Sequence, residues 1–231
     1  MATCAALATL WQSASTEEAH HAAEALCEHV NTNGFRTLLK DGILAELQDK
    51  LKNKKSAELR ERAAIGLGAI ASKVAGKNAP VPLGAEPWLL PTLPLLLDGY
   101  ADKNEAAKKA AESAVTMLVA LFPPEAVAEL FDALYPVIES GAAKWQAKVG
   151  ALKVISRASD MAFEQVGDEL TQLTPVLTTA MHETKAEVSK QAIKTATKVC
   201  GVIDNNDIRP FIPDLVGCMA RPDSCLLYTS P

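Results

Sequence analysis

Lysine side chains recur at corresponding places along this chain, and regularly spaced cations are suited to binding phosphate groups. One set follows position 102, a second flanks a tryptophan, and a third begins at position 185. If the segments that carry these residues stack in register, the side chains form a basic stripe along one edge. The alternative is a solvated helix surface that has no partner. The candidate members of the stripe are Lys103, Lys108, Lys109, Lys144, Trp145, Lys148, Lys185 and Lys190.

Trp145 is the unusual member of this set, because it is a large aromatic residue between polar neighbours, directly after a predicted turn. Two roles are open to it. The ring can wedge between two helices as part of the core, or it can stack on a binding partner.

Other patterns that resemble chemical sites have structural explanations. Gly66-x-Gly68-x-x-Ala71 matches a dinucleotide-binding fingerprint by letters, but that fingerprint needs a preceding strand and here it lies within a predicted helix. His20 and Glu24 share a helix face and could in principle share a metal, although a solvated acidic helix explains them better. We find no nucleophile and base at a spacing typical of catalysis. The sequence therefore predicts no catalytic, cofactor or metal site in this segment.

A repeat of about 40 residues organises the elements that carry the lysines. Prolines among Leu, Val and Ile recur at intervals of 42, 39 and 38 residues, and the first three are each followed by a second helix with small residues on one face. Two helices per 40 residues is the period of HEAT and armadillo repeats. The repeating prolines are Pro94, Pro136, Pro175 and Pro213, and the small residues on the second helices include Ala111, Ala151 and Ala192.

An earlier helix pair is predicted over 38–51 and 58–74, followed by a loop rich in Gly and Pro at 76–87. Before it, Ser15-Thr16-Glu17-Glu18 is a capping box for a helix that runs to about Val30 and stops near Gly34. The predicted fold is all-α, a right-handed α-solenoid of about five HEAT-like helix pairs.

Three segments follow from this organisation. Residues 1–35 form an N-terminal capping helix or a degenerate repeat, and residues 36–223 form the solenoid. Residues 224–231 interrupt the repeat and match the in-frame translation of a common sequencing-library adapter. We therefore expect a foreign tail on a fragment of a longer protein.

Composition narrows the class of protein. The chain is 48% hydrophobic but only 5% aromatic, which disfavours a large β-sandwich or barrel. Its formal net charge of −5 excludes a globally basic nucleic-acid-binding domain while allowing local basic patches. Five dispersed cysteines and the lack of a long apolar run predict an intracellular, cytoplasmic protein without a membrane partner. DNA is not an expected partner either, because the chain as a whole is not basic.

Three stretches resemble a known family. Lys144-Trp145-Gln146-Ala147-Lys148-Val149, the stretch from Leu173 to Val188 and the stretch from Asn205 to Leu215 are similar to HEAT repeats of translation elongation factor three, the fungal-type ribosomal ATPase of the ABC class. The resemblance extends over roughly residues 38–223. A ribosome-binding activator of a starvation-responsive kinase has similar repeats.

The resemblance implies a ribosome-binding arm whose partners are ribosomal RNA, ribosomal proteins and the elongation factor that delivers aminoacyl-tRNA. In the family, two ATP-binding cassettes later in the chain use ATP and Mg²⁺ to drive release of tRNA from the exit site. The segment itself is then not an enzyme and binds no cofactor. The alternative function is a HEAT-repeat scaffold for protein interactions, such as the kinase activator.

Overall fold

The computed structural model describes residues 5–74, 86–201 and 209–220, and all regular structure in these ranges is helical. The expected foreign tail at 224–231 and nearly all of the predicted loop at 76–87 lie outside the described residues. Contacts divide the chain into two compact units, Met1–Phe122 and Pro123–Pro231, which we describe separately. Within the described ranges, no single helix is long and apolar enough to span a bilayer.

The described residues of the first unit form three successive helix pairs. In each pair an A helix, in one or two pieces, precedes a longer B helix, and the B helices α2, α5 and α8 pack side by side in that order. The helices are α1 (Ala5–Gln12), α2 (Thr16–Asn33), α3 (Arg36–Lys40), α4 (Ile43–Leu51), α5 (Ala57–Val74), α6 (Glu86–Leu89), α7 (Leu93–Asp98) and α8 (Glu105–Val119).

In the second unit, the part of the chain that the structure describes forms two helix pairs and one further A helix. The B helices α10 and α13 pack together, α9 contacts α12, and α12 contacts α14, so the unit has an A layer and a B layer. The helices are α9 (Val127–Glu139), α10 (Trp145–Met161), α11 (Phe163–Asp168), α12 (Leu170–Met181), α13 (Ala186–Cys200) and α14 (Ile212–Ala220). The predicted fold class, an all-α solenoid of HEAT-like helix pairs, is confirmed.

The start of α2 follows the predicted capping box. The Ser15 hydroxyl accepts a hydrogen bond from the Glu18 backbone N–H at 3.2 Å, and the Glu18 carboxylate accepts one from the Ala14 N–H at 2.7 Å. The helix ends where Gly34 takes φ of 84°, a conformation that favours glycine. The predicted N-terminal helix is therefore correct, and its pairing with α1 is an addition that the sequence had not indicated.

The predicted helix over 38–51 is wrong in one respect, because the chain breaks within it. Gly42 adopts the left-handed conformation with φ of 70°, which ends α3 and lets α4 begin at Ile43. Two short helices result where apolar spacing alone predicted one. The four repeating prolines occupy two kinds of position. Pro94 and Pro213 lie in the first turn of α7 and α14, whereas Pro136 and Pro175 lie inside α9 and α12 with their side chains exposed to solvent.

The glycines of the dinucleotide-like pattern lie in α5 and serve helix packing. A Cβ at Gly68 would come within 3.3 Å of the Ala114 Cα and 3.3 Å of the Met117 sulfur on α8. A backbone atom of α8 cannot move aside as the end of a flexible side chain can. The lack of a side chain at Gly68 therefore allows the short distance between α5 and α8. The interpretation of this pattern as a packing feature is supported.

Replacing Gly68 by Val should therefore separate α5 from α8. We expect a loss of about 1–3 kcal/mol in the free energy of unfolding, because overpacking outweighs the gain in helix propensity. Urea denaturation followed by circular dichroism measures this change. Gly217→Val is the matched control, since no atom lies within 4 Å of a Cβ at that helical position. Equal stability of the Gly68→Val variant and the unmodified chain would contradict the packing role.

Candidate nucleic-acid interface

The eight residues of the predicted basic stripe are divided between the two units. In the first unit, Lys103 is exposed just before α8, and Lys109 is exposed on α8 itself. Lys108 is only partly exposed and lies 3.8 Å from Glu105 one turn earlier. Of these three side chains, Lys103 and Lys109 form no ion pair with a described residue.

Lys148 does not lie on the surface, and its assignment as a contact residue is corrected here. It is only 6% exposed, and its Nζ donates a hydrogen bond to Glu183 at 2.5 Å. Glu183 lies in the turn before α13, so the pair joins the first turn of α10 to the next helix pair. The physical reason is that a buried ammonium needs a carboxylate partner, and Glu183 provides it.

Trp145 is the first residue of α10 and is 38% exposed. The Lys185 Nζ lies 5.3 Å from the centroid of its ring, within the range of a cation–π contact. The indole is therefore neither fully in the core nor fully in solvent. Lys144 and Lys190 are exposed, and Lys185 is exposed beside Glu187 at 3.6 Å.

Three exposed basic residues that the sequence analysis missed lie on the same two helices. They are Lys153 and Arg157 on α10 and Lys194 on α13, where the predicted Lys190 is also exposed. None of these four forms an ion pair with a described residue. We call this set of Lys153, Arg157, Lys190 and Lys194 the B-helix basic face. Its signal was present in the sequence as basic residues four apart, which share one side of a helix.

The two helices that carry this face are held side by side at both ends. The Lys148–Glu183 pair links their N-terminal ends, and Lys198 forms an ion pair with Asp160 near their C-terminal ends. Between these links, the buried Thr195 hydroxyl donates to the Leu152 carbonyl at 3.1 Å. The helices are therefore parallel neighbours, and their exposed cations belong to one surface.

Charge in the second unit is segregated by layer. The A-type helices α9, α11, α12 and α14 carry six carboxylates and no Lys or Arg. The B helices α10 and α13 carry six basic residues and two carboxylates. In the second unit, the B layer is therefore positively charged and carries the B-helix basic face. The A layer on the opposite side is negatively charged.

Three further titratable groups among the described residues have a raised pKa. Burial raises the pKa of the Cys200 thiol, which keeps it protonated and a poor nucleophile. Burial also raises the pKa of the phenols of Tyr100 and Tyr135, with nearby carboxylates adding to the effect. Among the described residues, no three His, Cys, Asp or Glu side chains could together hold a metal ion.

Comparison with known families places these helix pairs in a defined group. Residues 19–196 match the family described as the EF3 N-terminal HEAT repeat. The chain belongs to this family. The match includes α5, α8, α10 and most of α13, and therefore every residue of the predicted basic stripe and of the B-helix basic face.

Individual relatives are consistent with the family. The chain is 36% identical over 195 residues to mRNA export factor elf1 of Schizosaccharomyces pombe, covering 84% of this chain and 18% of that protein. It is 32% identical over 217 residues to elongation factor 3 of Gonapodya prolifera, covering 94% of this chain and 19% of that protein. The chain thus spans about a fifth of the length of these relatives.

A solved structure shares the fold. The N-terminal domain of MAST/Orbit superimposes with a TM-score of 0.60 at 11% sequence identity, over 96% of this chain and 98% of that one. At this identity the likeness concerns the arrangement of helices alone.

The buried ion pair between Lys148 and Glu183 should respond unequally to loss of each partner. Glu183→Ala leaves a buried ammonium without a carboxylate, and we expect it to cost about 2–3 kcal/mol of unfolding free energy. Lys148→Met leaves a carboxylate whose side chain is 30% exposed and hydrated, so we expect about 1 kcal/mol or less. Chemical denaturation of both variants measures the difference, and equal costs would contradict the burial of Lys148.

Proposed function

We propose that this chain is the ribosome-binding HEAT arm of an elongation factor 3-type protein. The observation that carries the proposal is the B-helix basic face, together with membership of the family. The partners would be ribosomal RNA and ribosomal proteins, in the cytoplasm. The face supplies binding, and the chain contributes no hydrolytic chemistry of its own.

The geometry of the face suits a phosphate backbone. Residues four apart on a helix are separated by a rise of about 6 Å. Parallel packed helices lie about 8–10 Å apart. Lys153, Arg157, Lys190 and Lys194 therefore form an array with spacings of about 6 by 9 Å. Because none is neutralised by a described carboxylate, each is available to replace a counterion condensed on RNA.

Trp145, Lys144 and Lys185 extend this face at its N-terminal end. An indole that is more than a third exposed can stack on an unpaired base, and the adjacent cations can bind the neighbouring phosphates. Lys103 and Lys109 of the first unit stay predictions as further contacts, whereas Lys108 is a weaker candidate because of its contact with Glu105.

The rest of the protein would contain the two ATP-binding cassettes of the family. ATP and Mg²⁺ would bind there, and their turnover would drive release of tRNA from the exit site. The arm would hold the factor on the ribosome during this cycle, close to the elongation factor that delivers aminoacyl-tRNA. The length of the relatives, about five times that of this chain, supports such a division of labour.

A second candidate function comes from the relative named as an mRNA export factor. In that case the same basic face would bind messenger RNA and not the ribosome. A third, a protein-interaction scaffold such as the kinase activator, would not use the B-helix basic face for RNA at all. Direct measurement of what the face binds separates these functions.

Removing the charge of the face should weaken ribosome binding and its salt dependence together. For the Lys153→Gln, Arg157→Gln, Lys190→Gln, Lys194→Gln variant, we expect the slope of log K against log [KCl] to flatten by about 3, at about 0.7–0.9 per lost phosphate contact. Co-sedimentation with purified ribosomes across a KCl series provides K. Binding of a polyadenylate RNA in parallel tests the export function.

The matched control changes four exposed lysines of the first unit, Lys40, Lys52, Lys54 and Lys55, to Gln. It alters the net charge equally but leaves the B-helix basic face intact, so its slope should change far less. An unchanged affinity and slope in the face variant would refute the proposal. Equal losses in both variants would show that net charge alone governs binding.

Trp145 variants separate its two roles. Because the ring is 38% exposed, we expect Trp145→Ala to lower the free energy of unfolding by less than about 2 kcal/mol. Ribosome binding should fall in Trp145→Leu and be largely retained in Trp145→Phe, since stacking needs an aromatic ring. Thermal denaturation and co-sedimentation measure the two effects. A larger stability loss with normal binding would make Trp145 a helix wedge only.

A further inference from the structure

The first unit contains a groove that shares no residue with the B-helix basic face. It lies along the B helices α2, α5 and α8 and has a volume of about 490 Å³. Ligand-binding pockets in proteins commonly have about 300–1,000 Å³. The groove therefore has room for several side chains of a partner.

The floor of the groove is apolar. Ala64, Ile65 and Gly68 of α5 and Ala114 and Met117 of α8 line it. Asn and Gln, whose amides can donate and accept at once along an extended peptide backbone, are not among the lining residues, and the uncharged polar groups of the lining are the hydroxyls of Thr16, Ser72 and Ser113 and the His20 imidazole. A helical partner satisfies its own backbone hydrogen bonds and can lie on an apolar floor without such groups.

The length of the groove also fits a helix. Its lining runs from Glu61 to Ser72 along α5 and from Ala106 to Met117 along α8. Eleven residue steps at about 1.5 Å each give about 16 Å, or three turns of a helix. Small residues on the floor allow close approach of a helix with Ala and Leu on its contacting side.

The charged residues on the rim of the groove favour a partner of one net charge. Glu24 is exposed on the α2 side, and Glu61 of α5 accepts a hydrogen bond from the Thr16 hydroxyl at 2.8 Å. Lys109 is the basic residue on the opposite, α8 side. Two carboxylates on one wall favour cations on the flank of the bound helix that faces α2 and α5.

We propose that this groove binds a basic amphipathic helix of about three turns from a partner protein. The apolar stripe of that helix would lie over Gly68 and Ala114, and its Lys or Arg residues would pair with Glu24 and Glu61. This recognition is the helix-in-groove mode, in which apolar anchors provide affinity and flanking charges provide orientation.

A selection experiment on the 231-residue chain tests the proposal. The probe is a phage-displayed library of 15-residue helical peptides with Ala or Leu fixed at positions of one stripe and both flanks randomised. We expect the enriched peptides to carry Lys or Arg on one flank. Fluorescence anisotropy of a labelled enriched peptide then gives Kd for the chain and its variants.

Substitutions in the groove test whether the enriched peptide binds there. Ser113 is exposed and lines the groove, so Ser113→Trp should fill it and raise Kd at least tenfold without disturbing the core. Glu24→Arg should raise Kd about threefold to tenfold, with the increase smaller at high salt. Glu28→Arg, one turn further along α2 and outside the groove, is the matched control and should raise Kd clearly less than Glu24→Arg does, because its charge is partly screened from the peptide.

Several results would overturn the proposal. They are no enrichment over a blank surface, acidic flanks in the enriched peptides, or a Kd that Ser113→Trp leaves unchanged. Circular dichroism and thermal unfolding confirm that Ser113→Trp is folded. If that variant fails to fold, Ala110→Leu fills the same space, and its failure to raise Kd would likewise refute the groove.

Discussion

A charged link between successive B helices is the interaction on which both surfaces depend. The Arg60 guanidinium of α5 binds both oxygens of Asp102, with Nε at 2.5 Å and Nη2 at 2.9 Å, and its Nη1 donates to the Asn53 carbonyl. Asp102 also accepts the Asn104 N–H, and Asn104 caps α8. The hydrogen bond with Asp102 raises the pKa of Arg60, so the link stays charged. The position of α5 thereby fixes where α8 begins.

The second unit uses the same device with different residues. Lys148 on the first turn of α10 binds Glu183 in the turn before α13, which corresponds to Arg60 and Asp102. In each unit the link brings the N-terminal ends of two B helices together and makes their exposed sides neighbours. The first linked pair, α5 and α8, borders an apolar groove together with α2, and the second pair presents a row of cations. The difference comes from the residues on the exposed sides, because the linking geometry is shared.

The sequence predicted the parts of this structure that depend on periodicity. The small residues at Ala111, Ala151 and Ala192 located α8, α10 and α13 correctly, since close packing repeats with the helix pair. The burial of Lys148 could not be predicted, because its partner is 35 residues away and the pattern treats every lysine alike. Lys153 and Lys194 were missed for a different reason. The predicted stripe compared lysines at equal distances from the turn before each B helix. Lys153 and Lys194 instead lie further along α10 and α13, each four residues from another exposed basic residue on the same side of its helix.

The net charge of −5 is compatible with an RNA-binding face because, in the second unit, most carboxylates of the helices lie in the A layer and the basic residues lie in the B layer. Each helix with its side chains is about 10–12 Å thick, so the outer surfaces of the A and B layers are about 20 Å apart. At physiological salt the Debye length is about 8 Å. The carboxylates of α9 and α11 are therefore screened from a phosphate that approaches Lys153 or Lys190. Composition averages the two layers, but a ligand at the surface responds to the charges within one Debye length of it.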